Sequence, residues 1–550
     1  MTDTYDYIIV GSGFGGSVSA YRLSQKGYRV LVVEKGRRYT ETDFSEGTTR
    51  PGRWLWLPRL GMRGIMKLTF LRHVAVMSGV GVGGGSLVYA ATLPMPKDGF
   101  YDTGSWAGLR DWKTALAPHY RTAQRMLGAT RNPTLTSADN ALRDLARDIG
   151  REDAFRATDV GIFFGDAKQA GAPVADPFFD GEGPMRRGCI QCGDCMTGCR
   201  YNAKNSLDKN YLYLAEKLGA TVLPDTEVTD VRPAGLPDGS QGYFIATRTL
   251  LGRARVFRAG GVVFSGGVMG TVPLLLKLRD KGSLPRLSRM LGHDVRTNNE
   301  SLSTVTATGD NPGFNEGVAI GSILHPDEHS HLEPVVLGPK SGLWRFLALP
   351  MATGKSFAAR MKSLAGYVLR DPVNMMRAMF TRDFGGRTVI LLFMQHLDSA
   401  VTLKRGRFGR LATKIEPHQT APTADLPEAN ELTRRMEKLV GGKAMRGFTE
   451  VVLGAPSTAH ILGGSVIGAD ADSGVIDSEN RVFNYANMLV CDGSAISANP
   501  GVNPSLSITA LAEHAMSKIP ANGQRDVRQI ENQPVPEPET VQVKTQKVNA

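Results

Sequence analysis

Asp6-Tyr7-Ile8-Ile9-Val10 reads as a short buried strand, and Gly11-Ser12-Gly13-Phe14-Gly15-Gly16 follows it without a break. No other stretch restricts the fold so strongly, because so tight a glycine turn after an apolar strand has few uses. Ser17 to Lys26 suits a helix, Gly27 ends it, and Tyr28 to Val33 forms a second strand closing on Glu34. This strand–turn–helix–strand unit predicts an α/β domain of Rossmann type that binds a dinucleotide. Gly11 permits the turn, Gly13 lets backbone approach a pyrophosphate, and Gly16 lets helix and strand pack closely. Unpaired N–H groups at the start of the helix face the phosphates. Glu34 is placed to accept hydrogen bonds from the adenosine ribose.

A chain of 550 residues can bury a large core and is expected to hold two domains or more. Its longest apolar stretches, such as Val389 to Met394, fall far short of the roughly 20 residues that span a bilayer. The N-terminus runs straight into the first strand and leaves no room for a cleavable signal, so the expected location is the cytoplasm. The 65 basic and 53 acidic side chains give a formal charge of +12. The basic residues are dispersed and no zinc-finger or RNP-type pattern accompanies them, so nucleic acid is not an expected partner. A solvated surface explains the charge, with peripheral contact to an anionic membrane as the second reading.

Arg50 to Arg72 is basic and aromatic, and proline and glycine break any long helix in it. It reads either as a lid over an apolar passage or as a packed crossing between domains. The run Gly81-Val82-Gly83-Gly84-Gly85-Ser86 requires unusual dihedrals or close approach to something flat or charged. Helices are expected over Asp111 to Leu127 and over Ser137 to Ile149, the second capped by Ser137. A further helix is expected over Lys204 to Leu218, then strands at Thr221 to Leu223 and Glu227 to Val231, the latter containing Val228. Gly266 to Gly270 follows a β-branched run and reads as another strand-to-helix turn. Thr388 to Met394 and Ala400 to Leu403 look like a strand pair.

Four of the five cysteines form the run Cys189-x-x-Cys192-x-x-Cys195-x-x-x-Cys199. The spacing matches a bacterial ferredoxin run except that Arg200 stands where the terminal proline belongs. An iron–sulfur cluster, zinc and simple buried thiols all remain open on spacing alone. His325, His329 and His331 lie among carboxylates and read as a polar loop rather than a metal site. The methionines of Leu343 to Arg387 suit an adaptable apolar pocket, or plain helix packing. The last ordered block holds His460-Ile461-Leu462-Gly463-Gly464, then Asp492-Gly493-Ser494, and then Gly501-Val502-Asn503-Pro504 before a helix over Leu506 to Met516. From about Ala521 the chain loses its apolar period and reads as a disordered tail.

Taken together, the N-terminal fingerprint, the Gly81–Ser86 run and these C-terminal blocks resemble the glucose–methanol–choline (GMC) flavoprotein oxidoreductases, and within them the cholesterol-oxidase-like branch. The resemblance implies FAD as cofactor and a split architecture. Segments 1–95, 189–297 and 451–520 would build the FAD-binding Rossmann-like domain, with the cysteine run inside the second. Segments 96–188 and 298–450 would supply a discontinuous α+β substrate-binding domain, and 521–550 the tail. It also implies cofactor contacts from Gly11, Gly13, Phe14, Gly15, Gly16, Glu34, Gly83, Gly84, Gly85, Ser86, Val228, Gly266, Asp492, Gly493, Asn503 and Pro504.

By the same resemblance His460 and Asn503 match the active-site pair, and Glu333 matches the carboxylate with which sterol oxidases also isomerise a double bond. A proline follows the histidine in the sterol oxidases, whereas Ile461 stands here. The implied reaction takes an apolar alcohol, a sterol or an aliphatic or terpenoid one, to a ketone or aldehyde by hydride transfer to flavin N5. Electrons would then pass to oxygen. Some bacterial GMC sugar dehydrogenases carry an iron–sulfur cluster at the place of the cysteine run. That similarity implies a protein or quinone acceptor instead, and as the alternative an electron-transfer flavoprotein.

Overall fold

The computed structural model describes residues 3–44, 46–166, 170–417 and 419–522. Of the disordered tail expected from about Ala521, everything from 523 onward lies outside them. Two seven-stranded sheets organise the described residues.

The first sheet runs, edge to edge, through Thr221–Leu223, Val30–Val33, Thr4–Val10, Ala254–Phe264, Tyr243–Thr249 and Thr226–Pro233, while Met488–Val490 also pairs with Ala254–Phe264. Its central strands are parallel. Ile8, Ile9, Val30, Val32, Val262, Val263 and Val490 are all at or near zero exposure, as strands covered on both faces require. The helix Phe14–Gln25 crosses between the first two strands and packs on the helices Tyr211–Lys217 and Ser505–Ser517. Three distant stretches of chain thus meet at one sheet.

The second sheet is antiparallel throughout and runs Ala348–Pro350, Gly442–Gly447, Ser301–Ala307, Thr388–Gln395, Ser330–Val335, Ser322–Leu324 and Phe155–Ala157. Alternation decides its two faces. Val305, Leu332, Val389, Leu391 and Phe393 bury one face under the helices Ser137–Asp148 and Pro427–Val440. Leu302, Thr304, Val335, Ile390 and Leu392 point the other way, into a cavity facing the first sheet.

Several local expectations change. The cap of Ser137–Asp148 is Thr136, whose N–H and hydroxyl donate to Asp139 at 2.9 and 3.1 Å. No helix runs over Lys204 to Leu218. Asn210 takes a non-helical conformation and its side chain accepts from Tyr211 N–H, so the α-helix is only Tyr211–Lys217. Thr388–Gln395 does not pair with the following strand, because Ser301–Ala307 and Ser330–Val335 occupy both its edges. Thr402–Arg405 instead forms a hairpin with Leu411–Lys414. The methionines of 343–387 do not line the cavity. Met351 and Met375 are buried and Met376 is exposed, whereas Trp344, Leu347 and Phe384 from that segment supply lining.

Candidate active site

A cavity of about 670 Å³ runs between the two sheets. Its first end is lined by Gly11, Gly13, Phe14, Glu34, Gly84, Gly85, Val228, Gly266, Asp492, Gly493 and Pro504, and the apolar face of the second sheet closes the other. His460, Glu300 and Asn503 lie where these linings meet.

The first end fits FAD by its donor set. Gly13 precedes the helix Phe14–Gln25 with no side-chain cap, so the first-turn N–H groups are left for an anion. Glu34 is more engaged than expected. Its Oε2 accepts from Ser12 N–H and hydroxyl at 3.1 and 2.8 Å, and its Oε1 from Gly36 N–H at 2.8 Å. A carboxylate has about four acceptor sites, so capacity for a ribose hydroxyl remains. Asp492 is filled by Gly267 N–H, the Thr271 hydroxyl, and Ser494 N–H and hydroxyl. It acts as a strut joining two turns of the cleft.

Four residues expected to touch the cofactor stand back from the cavity. A Cβ on Gly16 would sit 2.1 Å from Gly11 O, and one on Gly15 1.5 Å from Cys491 O, so both positions serve close packing of the helix. Gly83 and Ser86 close the neighbouring turn, the Ser86 hydroxyl donating to Gly83 O at 2.7 Å and accepting from Leu207 N–H at 2.9 Å. That turn brings Gly84 so near that a Cβ there would lie 2.6 Å from Gly13 Cα.

The chemistry-bearing end is assembled around Glu300, a residue not anticipated from the sequence. Its carboxylate accepts from the Thr458 hydroxyl at 2.7 Å and from Ala459 N–H at 3.1 Å. His460 Nδ1 lies 3.1 Å from the same carboxylate, an ion-pair contact rather than a well-aligned hydrogen bond. Burial opposes charging of the His460 ring, but the Glu300 contact outweighs it and raises its pKa above the ordinary 6.5. Asn298 straps the opposite side of the site to the second sheet. Its Oδ1 accepts from Gly501 N–H at 2.8 Å, and its Nδ2 donates to Val502 O at 2.9 Å. The only sequence signal for either residue was a polar Asn-Asn-Glu run ahead of an alternating strand.

Glu333 is brought to the site but not into the cavity. It lies fully buried behind Asn503, whose Nδ2 donates to Glu333 Oε2 at 3.1 Å. Burial pushes its pKa up to about 8, against the opposing effects of the Asn503 hydrogen bond and His460. Of the three histidines, His329 parts from the other two. His329 is exposed and its Nδ1 lies 3.2 Å from His396 Nε2, whereas His331 is a fully buried strand residue beside Glu333.

The described residues lend no support to the iron–sulfur reading of the cysteine run. Among the described residues, no group of three or more His, Cys, Asp or Glu side chains is placed to hold a metal ion. The thiols are committed locally. Cys189 and Cys199 accept from Gln191 and Ala203 N–H groups, both at 3.3 Å, and Cys195 packs among Ala91, Val160, Ile162 and Val318. Burial pushes the Cys189 thiol up to about 12 and that of Cys195 higher still. Lys204 opposes that rise at Cys195, its ammonium being held beside the thiol by the Leu87, Tyr89 and Cys195 carbonyls.

Known proteins match this arrangement along the whole chain. Residues 399–512 match the family described as GMC oxidoreductase, and residues 9–58 a NAD(P)-binding Rossmann-like domain. A cholesterol oxidase of Acinetobacter baumannii is 42% identical over 525 residues, covering 94% of each chain. One of Mycobacterium tuberculosis is 44% identical over 550 residues, covering 97% of this chain and 94% of its own. A long-chain-alcohol oxidase of Arabidopsis thaliana is 24% identical, with 94% and 67% covered. The solved pyridoxine 4-oxidase of Mesorbium loti shares the fold, with a TM-score of 0.59, 14% identity, and 94% of this chain and 100% of that chain covered. The chain belongs to the GMC oxidoreductases, in the branch that contains the cholesterol oxidases.

Proposed function

We propose that the protein is an FAD-dependent oxidase of apolar alcohols, with a sterol hydroxyl as the first candidate substrate and a long-chain alkanol as the second. One observation carries the reading: His460, paired with Glu300, and Asn503 stand where the nucleotide end of the cavity meets its apolar wall. Bound FAD supplies a hydride acceptor for the carbinol carbon. The hydroxyl proton must leave as the hydride goes, and His460 Nε2, the ring nitrogen turned away from Glu300, takes it. The Asn503 amide orients the hydroxyl. Oxygen is the proposed electron acceptor, in keeping with the oxidases among the relatives. Anaerobic addition of a sterol, then of a long-chain alcohol, is expected to bleach the flavin absorbance, the sterol faster. A spectrum unmoved by both sinks the proposal.

The protein also meets its substrate at a lipid surface in this proposal. No helix among the described residues is long and apolar enough to cross a membrane. However, Leu369, Val373, Met376 and Phe380 recur at four- and three-residue spacing and are 77%, 60%, 55% and 66% exposed. Arg370, Arg377 and Arg382 flank this stripe, and Phe384, four residues beyond it, lines the cavity. Exposed apolar groups among basic ones suit an anionic bilayer surface. Val373→Ser with Phe380→Ser removes about 3 kcal/mol of burial, so partitioning onto anionic vesicles is expected to fall at least about tenfold. Turnover of detergent-dispersed sterol stays unchanged, and unaltered vesicle binding rules the contact out.

A further inference from the structure

Glu333 has a second partner besides Asn503. His331 lies two residues before it on the strand Ser330–Val335, so both side chains leave the same face. His331 Nε2 is 2.8 Å from Glu333 Oε1, and both groups are fully buried. Since Oε2 accepts from Asn503 Nδ2, each carboxyl oxygen is engaged by a different residue. Behind them the His331 ring meets the half-buried His325 ring, with centroids 5.0 Å apart.

We propose that His331 is a positioning residue for the oxidation: it holds Glu333, and Glu333 holds the Asn503 amide with its oxygen turned to the substrate hydroxyl. The inference rests on the alcohol-oxidation reading above. Asn503 lines the cavity, and its buried Oδ1 has no hydrogen-bond partner among the described residues. The two ends of an amide are nearly isosteric, so the partner behind it decides which end faces forward. An accepting oxygen behind Asn503 demands the nitrogen there. A protonated carboxyl group would lose that control if its proton sat on Oε2. His331 prevents this, because the proton shared by the pair lies between Oε1 and Nε2, the imidazole's own proton being on Nδ1, and Oε2 remains an acceptor whichever atom carries the shared proton.

The groups facing the pair define its pH behaviour. Glu333 is raised to about 8 by burial, with Asn503, His460 and Glu300 around it. His331 is lowered to about 3 by burial, then by Lys97, Arg156 and His460. Lys97 itself is tied to the Asp327, Glu328 and Ser330 carbonyls. Near neutral pH the pair is therefore a protonated carboxyl group donating to a neutral imidazole. Above about pH 8 the pair loses the Nδ1 proton, the shared proton rests on Nε2, and the carboxylate accepts from the imidazole. Asn503 keeps its orientation through this change only while His331 is present.

The test is the rate constant of anaerobic flavin reduction by a sterol from about pH 6 to about pH 10, with the dissociation constant of the sterol fitted separately. His331→Leu is expected to be about tenfold slower near neutral pH, where the freed proton can sit on Oε2, and to recover above Glu333's pKa. Sterol affinity should move less than about threefold, since Asn503 acts in orientation. His331→Gln, which still accepts from Oε1, should follow the wild-type profile. A loss equal at every pH, or no loss, overturns the proposal.

A second readout is independent of turnover: the infrared carbonyl band of a buried protonated carboxyl group. It should vanish in Glu333→Gln and shift in His331→Leu. In His331→Gln it should also shift, because an amide oxygen replaces the imidazole nitrogen as acceptor. An unmoved band in the histidine variants overturns the proposal, and His331→Gln decides if His331→Leu does not fold. If no alcohol reduces the wild-type flavin, the functional reading falls while the band still judges the positioning claim.

Discussion

His460→Ala is expected to slow anaerobic flavin reduction by an alcohol by about 10²–10⁴-fold, the range that a positioned general base contributes. The ring stands at the cavity, its Nδ1 against Glu300 and Nε2 left for a substrate proton. Flavin content should not change, because His460 stands at the junction with the apolar wall and Asp492, Gly13 and Gly84 at the nucleotide end remain in place. The sign of the pH dependence follows from the Glu300 contact. A base works in its neutral form, and that contact raises the His460 pKa above 6.5. The wild-type rate should therefore rise with pH through a limb above that value and then level off. Glu300→Gln leaves burial opposed only by Glu333, the smaller raising effect, so the charged ring is disfavoured and the limb moves to lower pH. Single-turnover reduction in His460→Ala at the wild-type rate would remove the histidine from the mechanism.

The second large effect is expected at a position that never meets substrate. A Cβ on Gly15 would lie 1.5 Å from Cys491 O and 2.4 Å from its carbonyl carbon. Both are backbone atoms of the turn after Met488–Val490, so no side chain can give way. Gly15→Ala must push the helix off that turn, at a cost of about 3 kcal/mol or more. The same turn carries Asp492, which braces Gly267 and Thr271 across the cleft. We therefore expect flavin affinity to drop about a hundredfold or more, together with a clear fall in Tm. Gly366→Ala is the control. It lies within the helix Phe357–Arg370, where an added Cβ meets nothing within 4 Å, and should stabilise by about 0.5–1 kcal/mol. A Gly15→Ala protein that keeps its flavin and Tm would show that the helix can move at little cost.

The nucleotide end of the site was legible because its causes are local. A strand of Ile8, Ile9 and Val10, a turn that needs Gly11 at φ 100°, and a helix with an open N-terminus are properties of one continuous stretch. Resemblance of short blocks was also enough to bring His460 and Asn503 to notice, since each lies in a distinctive run. What these residues touch was not legible. Glu300 is 160 positions from His460, and Glu333 is 170 from Asn503, as their numbers show. The pairs meet only because the segments carrying His460 and Asn503 fold back against the second sheet, tied there by Arg296–Leu462 pairing and by Asn298. The cysteine run was legible only as a set of alternatives, for spacing can suggest a metal site but the backbone decides where the sulfurs point. Here Gln191 takes a φ of 57° and the thiols turn to backbone donors and apolar neighbours.

By itself, then, the sequence determined the dinucleotide unit, the alternation of the sheets and the identity of the residues able to carry a proton. Only the tertiary structure decided their chemistry. Whether His460 is a raised base, Glu333 a protonated acid or Lys204 a carbonyl clamp depends on burial and on which distant group lies within about 3 Å, where electrostatic coupling is strong. Those contacts are set by strand order and register, which no local pattern of residues encodes.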